Sequence, residues 1–294
     1  MTDLATLSAD IARVAAAASA SIVRVHARQG PSASGIVWRP GFIVTAEEAI
    51  ESDDGIEVVL ADGATAKASL AGRDTSTDIA LLRCDAVAGS APTAATAAAL
   101  GQMAVALGAS RRGPLAALAM VSTVSGPWQS QRGGRIEQFI GLDLRFDRRL
   151  EGAALLAPSG ELIGMIAAGP HHMHLAIPAA TIERVAAQLQ TKGRIARGYL
   201  GLGLQPVEVA PVAGAGDKRR GVMVVSVDDN GPGKAAGVLQ GDIIVAWNGE
   251  PVGSVHGVMR RLGTETAGQG VDLALLRAGA PTAARLTIGE RPTT

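Results

Sequence analysis

Three histidines crowd into five residues at Pro170-His171-His172-Met173-His174. Side chains two apart on a strand point to the same face, so His172 and His174 can present two imidazoles side by side. Such a pair suits a divalent metal such as zinc, copper or nickel. Two histidines are a small ligand set, and a short polar loop is the plainer reading. Cys84 ends the apolar run Ile79-Ala80-Leu81-Leu82-Arg83-Cys84 and reads as a buried small hydrophobe. It is the single cysteine, so no intrachain disulfide can form. Ser159, within Pro158-Ser159-Gly160, reads as a turn residue and not as a nucleophile.

The elements that must position these residues are mostly short strands. Ser21 to Ala27 alternates apolar and polar positions. Gly35 to Trp38 and Phe42 to Thr45 flank a Pro40-Gly41 turn, and Glu57 to Leu60 leads into Asp62-Gly63, a hairpin signal. Lys67 to Leu70 and Ile79 to Cys84 follow. A spacing of about 8 to 12 residues suits a barrel or sandwich. Residues 86–100 are low in complexity and read as a connection between two β halves. Met103 to Leu107, Leu118 to Val124 and Phe139 to Leu144 continue the strands, with an exposed loop expected over 125–136. Leu155 to Ala157 and Leu162 to Ala167 form a hairpin. Then the period changes: Ile182, Val185, Ala186 and Leu189 share a helical face that opens near Pro178 and stops at Gly193. Leu4, Leu7, Ile11 and Val14 predict a short amphipathic helix at the start. The expected organisation is an N-terminal extension over 1–20, a β domain over 21–190, a linker over 191–198 and a second domain over 199–290.

Composition narrows the function. Apolar residues make up 47% of 294, enough for a substantial core. The 27 basic and 27 acidic residues balance, so nothing points to nucleic acid or an anionic membrane. No run of about 18 apolar residues marks a membrane span. The first residues lack a cationic stretch followed by an apolar core, so a cytoplasmic location is expected.

Several motifs stand in the order and spacing of the HtrA/Deg serine proteases. Ser34-Gly35-Ile36-Val37 followed by Gly41-Phe42-Ile43-Val44-Thr45 resembles the hairpin before that family's catalytic histidine. Leu60-Ala61-Asp62-Gly63 is similar to its following turn. Asp74 to Leu82 resembles the segment bearing the catalytic aspartate, with Asp78 at that position. Gly160-Glu161-Leu162-Ile163-Gly164 and Leu175-Ala176-Ile177-Pro178 resemble the strands after the nucleophile. Residues 199–290 resemble the family's PDZ domain through Tyr199-Leu200-Gly201-Leu202, Gly221-Val222-Met223-Val224, Gly231 to Val238 and Gly241 to Gly249. The resemblance implies a mainly β protein, a trypsin-like double β-barrel followed by a PDZ domain.

It also exposes a departure. Glu48 stands at the histidine position and Glu151 at the serine position, while Asp78 remains. Arg149-Leu150 and Ala153-Ala154 replace the glycine-containing pairs on either side of the nucleophile. A serine triad needs a neutral imidazole to take the serine proton and pass it to the leaving amine. Two carboxylates do not reproduce that relay. Three charges in one cleft would also repel, by about 4 kcal/mol for a pair about 4 Å apart at an effective dielectric near 20. Protonation, a bound cation, opened loops or a counter-ion such as Arg149 would relieve it. The resemblance therefore implies a pseudoprotease, with no catalytic residue and no cofactor expected. An active HtrA-like endopeptidase is the alternative, and metal binding through His171 to His174 a further one.

The PDZ resemblance implies capture of polypeptide C-termini or extended segments. Leu200, Gly201 and Leu202, after Tyr199, offer backbone N–H groups for a terminal carboxylate. Val255, Val258, Met259 and Leu262 share the facing helix; packing of the domain core is the simpler use of the same residues. Family resemblance leaves a homo-oligomer, and an envelope location as the alternative to the cytoplasm, open.

Overall fold

The computed structural model describes residues 3–27, 32–130, 132–145, 147–169, 173–195, 198–209, 219–263 and 266–290. Strands dominate, as expected, in two compact units. One takes in described residues up to Ser130 and from Gly134 to Ile195; the other holds Arg132, Gly133 and those from Gly198 onward.

The first unit opens with helix α1 (Leu4–Ala18), capped by the Asp3 carboxylate. Its apolar stripe buries Val14 and Ala18 in the unit's main core, with Ile11 packed alongside. Seven antiparallel strands follow: β1 (Ile22–His26), β2 (Ala33–Arg39), β3 (Phe42–Thr45), β4 (Glu57–Val59), β5 (Thr65–Lys67), β6 (Ser69–Asp74) and β7 (Ile79–Arg83). Their order is β5-β4-β1-β2-β3-β7-β6. The two edge strands are separated in sequence only by Ala68, so the sheet curls on itself without a closing ladder. Val23, Val25, Val37, Ile43 and Val58 fill its inner face.

The second half closes fully. Strands β8 (Met103–Ser110), β9 (Gly113–Ser125), β12 (Phe139–Asp143), β13 (Ala154–Leu156), β14 (Leu162–Ala168) and β15 (His174–Pro178) form a barrel ordered β12-β15-β14-β13-β8-β9. Closure leaves no unpaired edge. The stretch expected as a bare loop holds a short strand pair, β10 (Trp128–Gln129) with β11 (Arg135–Ile136). Trp128 meets Phe139 edge-on, centroids 5.2 Å apart, and Ile136 is buried, so apolar packing overrides the local glycine and arginine content. Helix α2 (Ala179–Lys192) buries Ile182, Val185, Ala186 and Leu189 and ends at Gly193, whose φ of 68° is the left-handed cap.

The second unit is a six-stranded sheet with two short helices. Strands β17 (Leu202–Val209), β18 (Arg219–Val227), β19 (Ile243–Trp247), β21 (Gly270–Arg277) and β22 (Ala280–Thr287) run in the order β17-β18-β19-β21-β22, with β20 (Glu250–Pro251) on β19. β16 (Gly198–Tyr199) pairs with β23 (Gly289–Glu290). Helices α3 (Pro232–Ala235) and α4 (Val255–Met259) cover a core built on Val222, Val224, Ile244 and Leu273. Asp242, 1% exposed, is held by the Arg277 guanidinium through two hydrogen bonds of 2.8 Å.

Candidate functional site

In the first unit, three loops bring Glu48, Asp78 and Glu151 within electrostatic reach of one another. Glu48 lies in a single 3-10 turn (Glu47–Ala49) just after β3, where its side chain is exposed. Asp78 sits immediately before β7 with a left-handed φ of 55°, unusual for any residue but glycine. Asp74 builds the turn beneath it. Its carboxylate accepts from the Ser76 N–H (3.1 Å), the Ser76 hydroxyl (2.7 Å) and the Thr77 hydroxyl (2.8 Å). The Glu48 N–H then donates to Asp78 Oδ1 at 2.9 Å, and the Glu47 N–H to the Asp78 carbonyl at 3.2 Å.

The Asp78 carboxyl is pushed up to about 7. Burial is the main cause; the Glu48 N–H opposes it, and the charges of Glu48, Glu47 and Glu151 add to it. Protonation of Asp78 near neutral pH thus relieves the carboxylate crowding. Glu47, which the sequence did not single out, is buried and pairs with Arg73 at 3.1 Å; Arg73 also holds Asp53.

Glu151 ends a second 3-10 turn, Arg148–Leu150, and is 5% exposed. The turn is pinned by Ser34. The Ser34 hydroxyl donates to the Arg149 carbonyl (2.6 Å) and accepts from the Ala109 N–H (2.9 Å), while the Ser34 N–H donates to the Glu151 carbonyl (2.9 Å). Gly152 follows with φ 79°, and a Cβ there would collide with the Ser34 carbonyl. The N–H groups of Arg149 and Glu151 are both used within the turn. The Arg149 N–H donates to Asp147 Oδ1 at 2.9 Å and the Glu151 N–H to the Arg148 carbonyl at 3.3 Å.

The counter-ion expectation needs correcting. The Arg149 guanidinium is held by Asp147, at 2.6 Å to Oδ2, and that bond keeps the Asp147 carboxyl below its usual range. Among the described residues, Arg148 is a cation that pairs with Glu151, its Nε 3.8 Å from Oε1. In a 3-10 turn, residues three apart stack on one side, which brings 148 and not 149 over 151.

His174 is fully buried on β15, and its Nε2 accepts from the Asp147 N–H at 3.0 Å. Burial lowers its imidazole, with the charges of Glu151 and Asp147 opposing. The lone pair that a metal would use is therefore already engaged. The proposed partner His172 lies outside the described residues. Among those described, no group of three histidine, cysteine or acidic side chains could hold a metal ion.

In the second unit, Tyr199 donates its hydroxyl to Asp228 Oδ2 at 2.7 Å, and Gly201 has φ 69°. The Asp228 N–H donates to the Gly201 carbonyl (2.8 Å) and the Gly233 N–H to the Leu200 carbonyl (2.7 Å), fixing the loop ahead of β17. β17 is an edge strand that ladders only with β18 and faces α4. Leu200, Val258 and Leu262 belong to the core, Leu202 and Val255 pack against it partly exposed, and Met259 is 38% exposed.

The fold and these loops define a class: a trypsin-like domain followed by a PDZ domain. Residues 33–165 match the trypsin-like peptidase domain family and residues 198–288 the PDZ domain family. The chain is a homologue of the HtrA/DegP-type serine proteases. It is 30% identical over 285 residues to the "Probable periplasmic serine endoprotease DegP-like" of Brucella suis biovar 1 (strain 1330), covering 91% of this chain and 54% of that protein. The protein of the same name from Halomonas elongata is 31% identical over 271 residues, with 87% and 56% covered. The chain thus spans about half the length of these curated relatives. The serine endoprotease from Yersinia pestis has TM-score 0.72 at 26% identity, covering 96% of this chain and 98% of its own. HtrA-type protease AlgW, solved with a decapeptide, has TM-score 0.73 at 22% identity and covers 97% and 99%, a likeness of fold. The curated relatives are named as periplasmic, which overturns the cytoplasmic expectation.

Proposed function

We propose that this chain is a periplasmic, polypeptide-binding HtrA homologue without serine-peptidase activity. One observation carries the reading. The turn 147–151 spends the N–H groups of Arg149 and Glu151 on Asp147 and Arg148, with a buried glutamate at its end. Trypsin-type chemistry needs the N–H of the nucleophile and of the residue two before it to converge on an oxyanion. Counting from Glu151, those are the two groups already used. Glu48 supplies no imidazole, and the nearby Ser34 hydroxyl is committed to the Arg149 carbonyl. The PDZ unit supports the binding part, because the open edge of β17 beside α4 suits strand addition by a peptide.

A second reading has support of its own: the relatives are named serine endoproteases, so an active endopeptidase is its content. Casein and fluorogenic-peptide cleavage, with a fluorophosphonate probe, separate the two. No turnover and no labelled serine are expected, together with binding of C-terminal peptides from a library. A labelled serine overturns the first half, and an empty peptide screen the second.

A further inference from the structure

The turn between β8 and β9 carries two adjacent arginines, Arg111 and Arg112, that the proposed function does not use. Ser110 fixes this turn: its hydroxyl donates to the Gly113 carbonyl (2.9 Å) and accepts from the Arg112 N–H (3.2 Å). Arg111 lines a cleft of about 130 Å³ that Arg24 of β1 also lines. Ile22, Val59 and Leu60 supply apolar lining. Neither Arg24 nor Arg111 has an ion-pair partner among the described residues. The charge reaches His26, two residues along β1. Its imidazole is lowered by burial and then by Arg24 and Arg111, against the exposed Glu57.

Two uncompensated guanidinium groups over an apolar concavity repel each other until an anion joins them. A guanidinium presents paired donors that match a carboxylate. The cleft is smaller than the roughly 300 Å³ at which drug-sized ligand sites begin, so its occupant is small. We propose that this cleft binds a carboxylate carrying a short apolar group, with the carboxylate at Arg24 and Arg111 and the apolar group against Ile22, Val59 and Leu60. A short fatty acid and the C-terminal residue of a peptide share that chemistry.

The test is a methyl NMR titration of the full chain with hexanoate, N-acetyl-leucine and, as the neutral control, hexanamide. At least one acid is expected to shift the Ile22, Val59 and Leu60 methyls saturably, while hexanamide leaves them in place. Hexanoate alone names the fatty acid as source, N-acetyl-leucine alone the peptide terminus, and both the shared chemistry. Arg111→Gln should weaken Kd at least about tenfold, the loss expected when a charge-assisted contact of about 1.4 kcal/mol goes. Arg24→Gln should do the same. Arg111 is exposed in a turn, so its variant keeps the fold and decides the matter if Arg24→Gln disturbs it. Unmoved methyls, equal shifts with hexanamide, or native affinity in Arg111→Gln would each overturn the site.

Discussion

The backbone N–H of Glu48 donates to Asp78 Oδ1 at 2.9 Å, so Asp78 is held by a main-chain group rather than by a ring. That bond stabilises the ionised form, yet burial outweighs it and lifts the carboxyl to about 7. A carboxyl raised on folding favours the folded state while protonated. Its contribution is complete below about pH 4 and is lost as pH rises through about 7. Stability should therefore fall across this window by up to about 1.4 kcal/mol per pH unit from Asp78 alone. Denaturant unfolding from pH 4 to 8, with Asp78→Asn showing a flatter profile over that window, is the check.

Gly152 and Gly41 should respond differently to the same change. Both have positive φ, but a Cβ at Gly41 meets nothing within 4 Å, while one at Gly152 strikes the Ser34 carbonyl. Gly41→Ala should cost only the left-handed strain, about 1–2 kcal/mol. Gly152→Ala should cost more than about 3 kcal/mol, because Ser34 also pins the Arg149 and Glu151 carbonyls. At about 2–4 °C per kcal/mol, calorimetry separates them.

Much of this was legible in the sequence, and the exceptions share a cause. Gly193 announced the end of α2, and the Ile182 to Leu189 stripe its buried face, because both are local signals. The convergence of Glu48, Asp78 and Glu151 followed from motif order. Whether Arg148 or Arg149 would face Glu151 did not, since one residue of 3-10 phase decides it. Glu47 escaped notice because its burial depends on Arg73, 26 residues away. The sequence offers His174 either as a strand-borne metal ligand or as part of a polar loop; the closure of the barrel buries it.

In the PDZ unit, Asp242→Ala should cost about 1–3 kcal/mol. It takes the 2.9 Å acceptor from the Leu239 N–H and empties a site that is 1% exposed, while the Arg277 side chain, 38% exposed, can turn to water. Hydrogen exchange should show the loss in β19 and β21 of that unit, with α2 of the other unaffected.

Met259 is the exposed member of the α4 face. Met259→Asp should weaken an apolar C-terminal peptide by about tenfold, or about 1.4 kcal/mol, without lowering Tm. Fluorescence anisotropy with one library-selected peptide measures it, and unchanged affinity would remove α4 from the groove.

Fluorophosphonate labelling of the intact chain, followed by peptide mapping, addresses the central claim most directly. With Glu48 and Glu151 beside Asp78 and the 147–151 turn closed on itself, no serine should be modified and casein should stay intact. A stoichiometric adduct on any one serine, with matching casein cleavage, would contradict the claim and establish the chain as an active endopeptidase.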